Sequence, residues 1–106
     1  MRARVTSFQL QEGKFDEGLE IFQSTVVPRL RSQPGCRGVV VVSDPATASG
    51  EITAFWDSQE NIDALDERGF WESQVAEVIF LIAAVPQRKV YDVNVLDIDM
   101  SQSNRQ

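Results

Sequence analysis

Four consecutive valines, Val39 to Val42, interrupt the alternation of apolar and polar residues expected of a strand with one buried face. Elsewhere the chain is periodic. Ala3 to Leu10 has strand character, and a Glu12-Gly13 break follows it. From Lys14 the period lengthens, and Phe15, Leu19, Phe22, Val26 and Leu30 draw one apolar stripe down a helix. Pro28 lies inside that stripe and cannot donate a hydrogen bond to residue 24, so a kink or a tightened last turn is expected there. Gln33-Pro34-Gly35 ends the helix, and Cys36 to Ser43 forms the valine strand. Asp44-Pro45 opens a turn that Gly50 closes, a hairpin loop of about seven residues, before a strand from Glu51 to Asp57.

Asp57 and Glu60 have the spacing of a capping box, which starts a helix that runs through Ala64 and Leu65 to a break near Gly69. Trp71, Val75, Val78, Ile79 and Ile82 then resume helical spacing until Pro86 stops it, and Arg88 to Ile98 supplies the last strand. The order strand, helix, strand, strand, helix, strand predicts an α+β fold, a four-stranded antiparallel sheet with helices on one face. One domain is expected over residues 1–98, with 99–106 a flexible tail.

Helices on one face leave the other face of the valine strand bare. Burying a valine side chain is worth roughly 1.5–3 kcal/mol, so a second cover is expected. The economical cover is another copy of the chain, which makes the protein a homodimer joined through its sheet faces.

Charge and composition narrow the partners. Sixteen acidic against ten basic side chains give a net charge of −6, which argues against nucleic acid or an anionic membrane as the main partner. The absence of histidine removes Ser-His-Asp and Cys-His chemistry and any His-ligated metal or haem. No metal and no cofactor are expected. Cys36 is the single cysteine and reads as a small buried apolar residue. The longest apolar run, Val78 to Val85, is far short of the roughly twenty residues of a membrane span, so a cytoplasmic protein is expected.

The stretch VPRLRSQPGCRGVVVVSDPATASGEITAFWDSQENIDAL resembles the antibiotic biosynthesis monooxygenase family. Pro28, Pro34, Gly35, Gly38, Asp44, Gly50, Trp56, Ser58 and Glu60 carry the family pattern, while Cys36 stands where an aromatic is usual. The resemblance spans residues 3 to 97 and implies a ferredoxin-like βαββαβ protomer in a dimeric α+β barrel. Family members include cofactor-independent oxygenases of polycyclic phenols, haem-degrading enzymes and small proteins without established activity. Where haem-degrading members carry Asn, Trp and His, this chain has Thr6, Leu65 and Gln74, which speaks against haem.

The cofactor-independent members imply a flat, anionic phenol-type ligand between helices and sheet, where the protein excludes water and favours the deprotonated form. Trp71 and Trp56 are then either aromatic walls or core indoles, with Trp71 the better wall because Gly69 lets its helix lift. Asn61 can donate its amide or cap its helix, and Arg88 and Tyr91 can stabilise a phenolate. The acids of the second helix, Asp63, Asp66, Glu67, Glu72 and Glu77, are expected on a solvated face that repels anions. Whether Thr6 and Phe8 or Val5 and Ser7 meet the cleft is open, as it is for Ile52, Ala54 and Trp56 against Thr53 and Phe55. The expected function is a cofactor-independent monooxygenase-like protein that takes a flat phenol- or quinol-type molecule. The alternative is a non-catalytic homodimer that binds a small molecule or serves as an interaction module.

Overall fold

The computed structural model of the protein describes residues 1–99, and of the expected tail only Asp99 lies within that range. Four strands, β1 (Arg2–Gln9), β2 (Cys36–Asp44), β3 (Ser49–Trp56) and β4 (Gln87–Asp92), form one sheet in the order β2-β3-β1-β4. Every neighbouring pair is antiparallel. This is the expected α+β, ferredoxin-like arrangement. The helices α1 (Phe15–Ile21), α2 (Val27–Arg31), α3 (Gln59–Glu67) and α4 (Phe70–Val78) supply the second layer.

The register settles which side chains face the helices. Thr6 pairs with Ile52, Arg4 with Ala54 and Arg2 with Trp56, so Thr6 and Phe8 share the inner face with Ile52, Ala54 and Trp56. Val39 and Val41 sit opposite Ala54 and Ile52 on that same face and pack against the core. Phe8 meets Phe22 edge-on, with ring centroids 4.9 Å apart.

The other face carries Val40 and Val42, which remain 43% and 53% exposed, with half-buried Val5 and Phe55 and exposed Tyr91 beside them. Within one chain the valine strand is therefore covered on its helix side only.

Several local expectations are corrected. The turn before Pro28 is widened rather than tightened: a π-helical turn, Phe22–Val26, joins α1 to α2. The wide turn closes with the Val27 N–H on the Phe22 carbonyl, and Pro28, which has no N–H to give, follows directly in the first turn of α2. The cap of α3 is Ser58, whose Oγ accepts from the Asn61 N–H at 3.4 Å. Asp57 is instead held by Arg37, Nε to Oδ1 at 2.6 Å.

The hairpin between β2 and β3 is shorter than expected, because Ser49 and Gly50 already pair with Asp44 and Ser43. Asp44 closes the turn by accepting the Ala46 N–H on Oδ1 at 3.0 Å. Helix α4 stops at Val78, well before Pro86, because the next residues pair with the end of β1. Gln11 donates to the Leu81 carbonyl and Ala83 to the Gln9 carbonyl, both at 2.8 Å, around a Leu10–Ile82 bridge. Leu81 is fully buried there. Strand β4 ends at Asp92 rather than Ile98, since its ladder with β1 is used up at Arg2–Asp92. Among the described residues no helix is long and apolar enough to cross a membrane.

Candidate ligand site

A cavity of about 80 Å³ lies between the inner face of the sheet and the helices, open to solvent on one side. Its floor is Arg4, Thr6 and Phe8 of β1 with Ile52 of β3, because alternation puts these residues on the covered face. The π turn and α2 add Phe22, Val26 and Leu30, and α4 roofs it with Phe70, Trp71, Gln74, Val75 and Val78. Gly69 caps α4 in the left-handed region, φ 73°, a conformation that turns the chain sharply between α3 and α4 and suits glycine. Apart from Arg4, Thr6 and Gln74, the lining is apolar.

Arg4 grips Asp66 of α3 with two parallel hydrogen bonds, Nη1 to Oδ1 at 2.7 Å and Nη2 to Oδ2 at 2.8 Å. Its side chain is 13% exposed, and its Nε is buried without a partner. Gln74 Oε1 is likewise buried and unpartnered. Arg88 of β4 reaches Asp66 at 3.4 Å and lays its guanidinium over the Trp71 ring. The Arg4 hydrogen bonds hold the Asp66 carboxyl below the usual carboxylate range, against the opposing effect of burial, and Arg88 adds to the lowering.

This corrects the expectation that Asp66 belongs to a repelling, solvated acidic face. Its charge is neutralised by two arginines. Glu77 is also paired, with Arg29, and Asp63 accepts from Gln59 Nε2 at 3.0 Å.

The residues singled out from sequence divide into two sets. Trp71, Thr6 and Gln74 line the cavity, and Arg88 joins its rim through Trp71. Trp56 does not reach it: the indole is 1% exposed in a separate cluster with Cys36, Ala54, Ile62 and Leu65, and its Nε1 has no partner. Asn61 is taken up by the α3 cap, accepting from Ser58 Oγ at 2.9 Å. Its amide also lies against Gly35, where a Cβ would fall 2.2 Å from Asn61 Cγ. Tyr91 lies on the outer face of the sheet, its ring 5.2 Å from Lys89 Nζ.

Arg4 went unnoticed in the sequence, although one signal was available. It stands two residues before Thr6 and is therefore the charged member of an otherwise inward-facing set. Among the described residues no group of three or more His, Cys, Asp or Glu side chains could hold a metal ion.

Comparison with known proteins agrees with this architecture. The family model for antibiotic biosynthesis monooxygenase matches residues 1–68. Among curated proteins none matches the chain. A solved antibiotic-biosynthesis-monooxygenase-type protein of Nitrosomonas europaea superposes with a TM-score of 0.74 at 10% identity, covering 90% of this chain and 100% of its own. A protein of the same description from Chloroflexus aurantiacus gives 0.65 at 24% identity, with coverage of 92% and 98%. A monooxygenase of Streptomyces coelicolor, solved with the ligand nanaomycin D, gives 0.71 at 12% identity, with coverage of 92% and 91%.

Proposed function

The chain belongs to the antibiotic biosynthesis monooxygenase family, and on that premise we propose that it holds a flat phenol- or quinol-type molecule between sheet and helices and oxidises it without metal or flavin. The observation that carries this reading is the cavity itself, apolar on most sides, with Trp71 and three polar side chains converging on it. In such a site a deprotonated anthrone-type substrate passes an electron to O₂. The resulting radicals combine at carbon, and loss of water leaves a carbonyl where a CH₂ stood, the second oxygen atom departing in the water. The chain's part is to exclude solvent and to favour the anion.

The size of the cavity adds a condition. Benzene occupies an engineered apolar cavity of about 150 Å³, so the 80 Å³ seen here admits a ring only if a wall moves. Helix α4 is the wall best placed to do so, because Gly69 hinges one end and the helix stops at Val78 at the other.

A second reading is a binding protein without chemistry, and one observation favours it. The lining contains no Asp, Glu, Tyr or Cys to accept a proton, and the nearby Asp66 carboxylate is tied to Arg4. In either reading the protein works in the cytoplasm as a homodimer. The apolar outer face formed by Val40, Val42, Phe55 and Tyr91 supports that pairing, since a second copy would bury it sheet on sheet.

Oxygen uptake by metal-free protein with anthrone and hydroquinone substrates separates the two readings. Uptake above the buffer rate, with a new carbonyl in the product, is expected of the oxygenase. Saturable binding without uptake would leave the binding protein.

A further inference from the structure

We infer that Phe22 sets how far a ligand reaches into this cavity, and that the molecule it takes ends in bare hydrocarbon on that side. The inference rests on the cavity reading and names the residue behind its selection of size.

The cavity has two unlike ends. Phe70, at the start of α4, packs against the cluster that holds Ala54, the strand partner of Arg4. Val78, at the end of α4, belongs with Phe8 and Ile82 to the larger cluster. The space therefore runs along β1 and α4 together, from Arg4 to Phe8. At the Phe8 end the lining residues Phe8, Phe22, Val78 and Ile82 are all apolar and buried. A polar group pushed there would lose its water and find no partner.

That end is also the fixed one. A Cβ on Gly50 would fall 2.7 Å from Phe8 Cζ, so the Phe8 ring fills the space that the glycine leaves over β3. Ile82 is bridged to Leu10, and fully buried Leu81 stands beside it. Helix α4 yields at Gly69, at its opposite end.

Phe22 closes this end. Its ring meets Phe8 at an interplanar angle of 66°, and its carbonyl accepts the Val27 N–H that completes the π turn. With its backbone held by the turn and its ring backed by Phe8, it has no room to withdraw, so the volume of its side chain is the stop.

The test titrates three probes into full-length protein by calorimetry: 2-naphthol, 6-propyl-2-naphthol and naphthalene-2,6-diol. The wild type should bind 2-naphthol at least about tenfold tighter than the propyl compound, which runs into Phe22. The diol should be at least about fivefold weaker, because its second hydroxyl lands among hydrocarbon. Phe22→Ala should bring the propyl compound to within about twofold of 2-naphthol. Should Phe22→Ala not fold, Phe22→Leu removes the ring edge, keeps most of the packing and should narrow the propyl gap part-way. Leu30→Ala opens a hole in the half-buried part of the wall and should leave that gap as it was. Equal binding of 2-naphthol and either substituted probe by the wild type would overturn the inference and leave the cavity reading intact. So would a propyl penalty that persists in the folded Phe22 variants, or one that Leu30→Ala relieves as well. Binding of none of the probes by the wild type would overturn the cavity reading and the inference together.

Discussion

The guanidinium of Arg88 lies over the indole of Trp71, with Cζ 4.1 Å from the ring centroid, and so ties the last strand to the helix that roofs the cavity. The contact is a cation on an aromatic face, and it holds Trp71 half-buried at the rim rather than sunk in the core.

Trp71→Phe should weaken binding of a flat aromatic ligand by about 0.5–1.5 kcal/mol, through lost ring contact, with little change in melting temperature. Titration calorimetry beside a thermal melt checks both halves. A large stability loss with unaltered binding would assign Trp71 to the core.

Trp56→Phe should do the reverse. The indole is almost fully buried, so shortening it leaves a gap between β3 and α3 worth about 1–2 kcal/mol of stability. Removing the unpartnered Nε1–H offsets part of that loss. Ligand affinity should stay the same, as measured by the same titration.

Val41→Asp and Val42→Asp should fail in different ways. Val41 packs into the core, and a carboxylate there should cost about 2–4 kcal/mol of folding stability. Val42 lies on the outer face, so its variant should keep a near-native melt as a monomer while losing self-association in sedimentation. A Val42→Asp protein that still sediments as a dimer would rule out pairing through this face.

Acid should weaken the fold partly through Asp66. The folded protein holds this carboxyl below its usual range, so the unfolded chain binds the proton more readily. The stabilisation is therefore complete above the unfolded value of about 4 and disappears as pH falls through the lowered folded value. Melting temperatures of wild type and Asp66→Asn should differ at pH 6 and converge towards pH 3. The gap should be small, because Asp66 is 38% exposed and partly screened. A constant gap across that range would show that the carboxyl's proton is not involved.

Added haem with a reductant should undergo no ring opening and release no iron. The chain has no histidine to serve as an axial ligand, and the amide of Gln74 in the cavity is a poor one. Absorption spectra over the reaction check this.

The repeating patterns were legible: the stripe from Phe15 to Leu30 marked the first helical layer, and strand runs at both ends and the middle gave the sheet its members. Features decided by one distant partner were not. Asp57 had the spacing of a cap, yet Arg37 claims it and Ser58 takes the role. The run from Trp71 to Ile82 kept a helical period to its end, but Leu81 and Ala83 instead hydrogen-bond Gln11 and Gln9 at the end of β1. The site shows the same division. Trp71 followed from its position after Gly69, and Thr6 and Gln74 entered through the family resemblance, whereas Arg4 and Asp66 lie 62 residues apart, and no local pattern joins them. Strand alternation also left two possible inner faces until the register chose one.

The π turn at Phe22–Val26 amounts to one residue more than an α-helix would use over the same path. Deleting Ser24 would therefore let the helix run regularly while α2 keeps its facing, with Leu30 still on the cavity wall and Arg29 still opposite Glu77. A deletion elsewhere along the helix, with no wide turn to absorb it, would instead swing everything after it by roughly 100° about the axis. The spacing of the wall is thus tolerant of a one-residue change at this turn and intolerant of one on either side of it.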